Sequence, residues 1–252
     1  MLRFISKNCP PPRQDTNIAR CCGFTLSEIL ITLAIIGVVA AITLPSLITN
    51  IKNKGTIEKL KKTQATLQTA TTELINEGVD FKIDANKIYR EQGEEAVTQS
   101  FQNIVNLYAS KMKVARICKN PNAVNSNSYC HNPPYSYKML NNERSDHYLP
   151  FMGAWPILLQ DDTAIGIRFN NQRGGMTLYN APQIRFGIDT NGKKGPNIMG
   201  RDVFYLYYEN GRIKPAGDGN TKIGVFGQDD CNKEGRGLGC AYKVLSTGKI
   251  DY

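Results

Sequence analysis

The chain has 252 residues, 41% hydrophobic and 21% charged, which excludes a disordered or fibrous protein and supplies apolar material for one sizeable core. Its 31 Lys and Arg against 22 Asp and Glu leave a formal charge of +9, an excess too modest to select nucleic acid, anionic lipid or any other partner class by itself. The seven cysteines divide unevenly, with Cys9, Cys21 and Cys22 near the start and Cys118, Cys130, Cys231 and Cys240 far downstream.

The first element is an apolar run from Phe24 to Leu44, FTLSEILITLAIIGVVAAITL, with Glu28 as its one charge. Twenty-one such residues are enough to cross a hydrocarbon core of roughly 30 Å as a helix. One reading is a secretory signal peptide with basic residues in front (Arg3, Lys7, Arg13, Arg20) and a cut at Ala41. Against it stand the length of the run and the carboxylate inside it. A plain single-pass anchor fits the length and leaves Glu28 as an unexplained cost.

The third reading takes Gly23-Phe24-Thr25-Leu26-Ser27-Glu28 together with the apolar run and with Pro45 that closes it. In these residues the chain resembles the type IV prepilin family, which includes the pseudopilins of type II secretion. The resemblance is specific over residues 23 to 48 and extends more weakly to about residue 78. It implies cleavage by a prepilin peptidase between Gly23 and Phe24, N-methylation of Phe24, and retention of the apolar helix. It further implies a leader over 1–23, an N-terminal helix over 24–78 whose transmembrane and assembly segment is 24–44, and an exported globular domain over 79–252. Pro45 matches the family's usual helix kink.

Under that resemblance Glu28 has a task. A carboxylate in a membrane helix costs roughly 2.5–3.5 kcal/mol at the centre and less near the end, so it seeks a cation. The free amine of Phe24 in a neighbouring subunit supplies one, and such a buried pair sets axial register. Charge alone does not orient the segment, because Lys52, Lys54, Lys59, Lys61 and Lys62 follow it while four basic residues precede it. The resemblance places the leader in the cytoplasm, the segment in the cytoplasmic membrane and the remainder outside, in an extracellular or periplasmic filament when assembled.

The helix continues beyond the membrane run as an amphipathic stripe of Leu47, Ile51, Leu60, Leu67 and Leu74, with Lys, Thr and Gln opposite, and stops at Gly78. Pro45 and Gly55 are its soft points. A second helix is predicted from Glu94 to about Arg116, with Val97, Phe101, Ile104, Val105, Tyr108 and Met112 at helical spacing. Residues 118–156 are Pro- and Asn-rich and read as loop. Strands are predicted at 157–160, 164–169, 176–179, 183–188, 203–208 and 212–214, with turns at Asp161-Asp162-Thr163 and Asn210-Gly211. The expected fold is therefore α+β: a long N-terminal helix packed on a C-terminal antiparallel sheet, a pilin-like arrangement.

The downstream cysteines form two local pairs, Cys118 with Cys130 and Cys231 with Cys240, as an exported domain predicts. Three pairings are open in principle; the local ones close loops rich in Gly, Asn or Pro. Free buried thiols remain the alternative, and a zinc site at Cys118, Cys130 and His131 lacks a C-x-x-C or H-x-x-x-H partner pair.

The segment from Asp189 to Asp202 gathers Asp189, Asn191, Asn197 and Asp202 in a glycine-punctuated loop, oxygen donors of the kind calcium takes. It resembles the calcium loop that some pseudopilins carry near the C-terminal sheet. It departs from an EF-hand, with Lys193 at the fifth position and no closing Glu, and a turn capped by its own Asx side chains is the competing reading. No cofactor is required. A phosphate loop fails at Lys194 and Pro196, and there is no G-x-S-x-G or H-E-x-x-H, so nothing points to an enzyme.

Without residues 1–23 the chain keeps 27 basic and 21 acidic residues, +6. Its Lys111, Lys113, Arg116, Arg168, Arg173, Lys193, Lys194, Arg201, Arg212 and Lys214, with tyrosines nearby, could form a stripe for nucleic acid; solvated surface charge is the default. Two functions are thus expected to compete. One is a structural subunit of a pilus or pseudopilus, with prepilin peptidase, the membrane and other pilin-like subunits as partners. The other is a membrane-anchored binding protein, for DNA or another ligand, that does not polymerise.

Overall fold

The computed structural model describes residues 25–118, 137–143, 154–169, 184–220 and 225–252. In order the elements are α1 (Leu26–Asn76), α2 (Ala85–Ser110), β1 (Val114–Ile117), β2 (Trp155–Leu159), β3 (Ala164–Phe169), β4 (Ile184–Asp189), β5 (Val203–Glu209), β6 (Arg212–Pro215) and α3 (Cys240–Thr247). The chain divides into two units, Met1–Thr49 and Asn50–Tyr252.

In the first unit the described residues form the apolar part of α1. Apart from Ala40, every residue from Thr25 to Thr49 is exposed, and Leu, Ile and Val occur on all sides. A helix apolar all round has no water-facing side and needs lipid or other helices as its surroundings. The helix passes through Pro45 without a break.

In the second unit α1 continues from Asn50. Leu60, Leu67 and Leu74, seven residues apart, are fully buried together with Ile57, Ala70 and Thr71. At roughly 1.5–3 kcal/mol for each buried leucine, this stripe is a main attachment of the helix. Leu47 and Ile51, which the pattern places on the same stripe, are exposed. The apolar spacing runs on through these turns, but burial of the stripe begins only at Ile57. Gly78 ends the helix at φ 84°, where its N–H donates to Ile75 O and the Val79 N–H to Leu74 O, the two bonds of a Schellman stop.

The six strands form one antiparallel sheet in the order β1-β2-β3-β4-β5-β6. Alternation sorts its side chains. Ile165, Ile167 and Phe169 of β3, Ile184, Phe186 and Ile188 of β4, and Phe204 and Leu206 of β5 join the core made with α1 and α2. Ala164, Val203, Tyr205 and Tyr207 face the other way, into a smaller core with Tyr137, Met139, Met199, Phe226 and Leu238. The Asn210-Gly211 turn, with φ of 49° and 79°, joins β5 to β6 as a tight hairpin.

The second helix differs from its sequence reading. It starts at Ala85, where Asp84 accepts from Lys87 N at 2.9 Å, bends at Gly93 and ends at Ser110. Arg116 lies instead in β1. The six residues of the expected apolar stripe are all buried, Met112 lying just beyond the helix end. Trp155 and Pro156, read as loop, open β2, which ends at Leu159. The short α3, between Gly239 and Gly248, had no counterpart among the expected elements. The strand expected at 176–179 lies outside the described residues.

Both edges of the sheet are modified. At β6, Gln68 of α1 accepts from Ile213 N at 2.8 Å and donates to Gly211 O at 3.0 Å, while Gln64 donates to Ile213 O at 3.2 Å. At β1 the register is broken between Val114 and Arg116, and Arg116 is exposed.

Candidate functional site

Gly23 and Phe24 lie outside the described residues, so the site can be built from Thr25 onward. Thr25 precedes the first residue of α1 and forms a reciprocal pair with Glu28. The Glu28 N–H donates to Thr25 Oγ1 at 3.2 Å, and Glu28 Oε2 accepts from both Thr25 N and Thr25 Oγ1 at 2.8 Å. This is a capping box, in which each residue satisfies a backbone donor that the first helical turn leaves open. The signal Thr-x-x-Glu stands in the sequence but is easily passed over when Glu28 is weighed only as a charge in an apolar run. Glu28 thus has hydrogen-bond partners inside its own chain but no cation among the described residues.

Farther along the segment three threonine hydroxyls are also accounted for. Thr32 donates to Ile29 O, Thr43 to Val39 O and Thr49 to Pro45 O, each at 2.9 Å. Such bonds let a threonine sit in hydrocarbon without an orphaned donor. One helix among the described residues, α1, is long and apolar enough to cross a membrane.

Of the four predicted oxygen donors, Asp189, Asn191 and Asp202 are joined through their side chains, while Asn197 takes part through its backbone N–H. Asp189, at the end of β4, is fully buried and accepts from Tyr137 OH at 2.7 Å, Gly192 N at 2.9 Å and Asn191 N at 3.1 Å. Asp202 accepts from Ile198 N at 2.7 Å, Asn197 N at 2.8 Å and Asn191 Nδ2 at 3.0 Å. Asn191 therefore bridges the two carboxylates. These are Asx-type turns, and Tyr137, absent from the sequence reading, closes the constellation.

Burial pushes the Asp189 carboxyl up to about 7; the negative charge of Asp202 adds to this, and the bonds from Tyr137 and the loop N–H groups oppose it. Burial likewise raises Asp202. Donor type and charge suit calcium, and Asn191 Oδ1 is a buried oxygen without a partner. Every carboxylate oxygen already accepts a protein hydrogen bond, however, so an ion would have to share them. Lys59 of α1 ties the loop to the β2–β3 turn by donating to Thr190 O and Asp161 O, both at 2.9 Å.

Cys231 and Cys240 are bonded to each other, nine residues apart with Cα atoms 4.8 Å apart. Asp230 braces the same loop by accepting from Gly239 N at 2.7 Å and Leu238 N at 3.1 Å. Cys118 is buried and disulfide-bonded; Cys130 lies outside the described residues. Several members of the basic set are neutralised locally: Lys111 by Glu77, Lys194 by Asp162 and Lys214 by Glu209. Arg173 is outside the described residues.

A family model described as the prokaryotic N-terminal methylation motif matches residues 18–44. No curated protein and no solved structure matches the chain. The motif implies processing by a prepilin peptidase and assembly with other pilin-type subunits, and together with the apolar helix it fits a membrane-anchored pilin. Over residues 18–44 the chain carries the signature of type IV prepilins and pseudopilins, which supports a pilin-like precursor.

Proposed function

We propose that the protein is a structural subunit of a type IV pilus or type II secretion pseudopilus. It is cut between Gly23 and Phe24, methylated on Phe24 and held in the cytoplasmic membrane by residues 24–44, with the downstream domain outside the cytoplasm. The observation that carries the proposal is the methylation motif continuous with a helix whose apolar side chains face outward on all sides. Such a surface is matched first by lipid and then, after extraction into a filament, by the same segment of other subunits.

Glu28 decides register in this scheme. Its capping box satisfies hydrogen bonds but leaves its charge uncompensated, and the Phe24 amine of an adjacent subunit compensates it. The test is Glu28→Leu in the native membrane, scored by filament imaging and by cleavage. The expected result is normal processing with assembly lost; normal filaments would overturn the assignment. A non-polymerising anchored binding protein would instead keep its binding and show no assembly phenotype.

Calcium at Asp189, Asn191, Asn197 and Asp202 belongs to the proposal as a structural ion that would neutralise two buried carboxylates. Its test is the thermal midpoint of the detergent-solubilised chain with calcium or with chelator. A calcium-dependent rise that is lost in Asp202→Asn supports the ion, and identical midpoints remove it.

A further inference from the structure

Arg185 of β4 is only 4% exposed, yet no hydrogen bond or ion pair among the described residues involves its side chain, and its Nε is buried without a partner. Its guanidinium carbon lies 4.8 Å from the centre of the Phe226 ring, which covers one face of the group and leaves its hydrogen-bonding edge unmatched. A guanidinium does not shed its proton at physiological pH, and a ring contact recovers only part of the solvation it has lost.

A second cation stands beside it. Arg168 of β3 is the direct cross-strand partner of Arg185. Directly opposed residues share a face of the sheet, with Cβ atoms about 4.5–5.5 Å apart. Like charges in that position repel, and burial followed by the Arg168 charge pushes Arg185 down to about 10. The cross-strand row continues from Arg168 and Arg185 to Tyr207 and Lys214, and the acids that bond its other members are engaged there: Asp218 accepts from Tyr207 OH at 2.5 Å, and Glu209 accepts from Lys214 at 2.6 Å and from Asn220 at 3.0 Å. Arg168 is half-buried and keeps contact with solvent.

We propose that Arg168 and Arg185 form a binding site for a phosphate group on the face of the sheet turned away from α1 and α2. A carboxylate has two oxygens, which one guanidinium fork uses up, whereas a phosphate offers enough oxygens and charge to engage both forks. The group is either free inorganic phosphate or the terminal phosphate of a monoester.

The experiment measures the thermal midpoint of the full detergent-solubilised chain in inorganic phosphate against chloride at equal ionic strength, with glycerol phosphate as a parallel arm. The expected result is a saturable rise, about 5 °C at a hundredfold excess over Kd, that is lost in Arg168→Gln and Arg185→Gln. Saturation at equal concentrations in the two arms assigns the free anion; tighter saturation by the ester assigns a terminal phosphate. A flat response in both arms, or the same rise in Arg168→Gln as in the unsubstituted chain, overturns the proposal. Arg168→Gln decides the matter if Arg185→Gln does not fold.

Discussion

Between about pH 4, where an unfolded aspartate ionises, and about 7, where buried Asp189 does, the folded chain holds a proton that the unfolded chain has released. The folded state then binds more protons, so the stability linked to this group is complete below pH 4 and is lost as pH rises through 7. Asp189→Asn removes the titration while keeping an acceptor for Asn191 N and Gly192 N, and Tyr137 OH can turn to accept from the new amide. The substituted chain should be more stable at pH 8 by on the order of 1–3 kcal/mol and show a flatter stability profile from pH 5 to 8. Denaturant titrations at both pH values check this; an unchanged slope would place the pH dependence elsewhere. Of these residues, Asp189, Asn191, Asn197 and Asp202 stand within one short loop, so their spacing alone groups them. Tyr137 was not legible, because it is 52 residues away in sequence and only the fold delivers it.

At the scale of the element, α1 does more than bury leucines. Lys59, Gln64 and Gln68, which the stripe pattern assigns to the polar side, bond backbone groups of the sheet and its turns. Gln68→Ala would leave Ile213 N and Gly211 O short of partners and should cost about 1–3 kcal/mol, read as a lowered denaturation midpoint. A loss no larger than that of an exposed substitution such as Lys61→Ala would mean that water replaces the side chain. Breaking the Cys231–Cys240 bridge in Cys240→Ser should remove somewhat less than the ~3 kcal/mol of a 15-residue loop, since this loop is shorter. An equal midpoint with and without the bridge would show that Asp230 holds the loop unaided. Periodicity identified α1, β3 and the β5–β6 hairpin because each is bounded by strong local signals. It misplaced α2, whose N-cap at Asp84 is separated from the apolar stripe by the bend at Gly93, and missed α3, which has only two turns between glycines.

For the whole molecule the methylation motif, the apolar helix and the α+β second unit agree with one another, and the first two were plain in the sequence because membrane crossing sets a length that few other structures need. The Arg168–Arg185 pair was hidden in a scatter of basic residues, since facing pairs depend on strand register. Intact mass of the chain from its native membrane should correspond to residues 24–252 plus one methyl group; a start near residue 41 or at Met1 would sink the assembly proposal. In the proposed filament, stacked subunits would hold their domains at enormous local concentration, where an open strand edge invites its neighbours into a continuous sheet. Gln68 occupying the β6 edge, with the broken register and Arg116 at β1, would keep such domains as separate beads, so that order along the fibre is dictated by the helix alone.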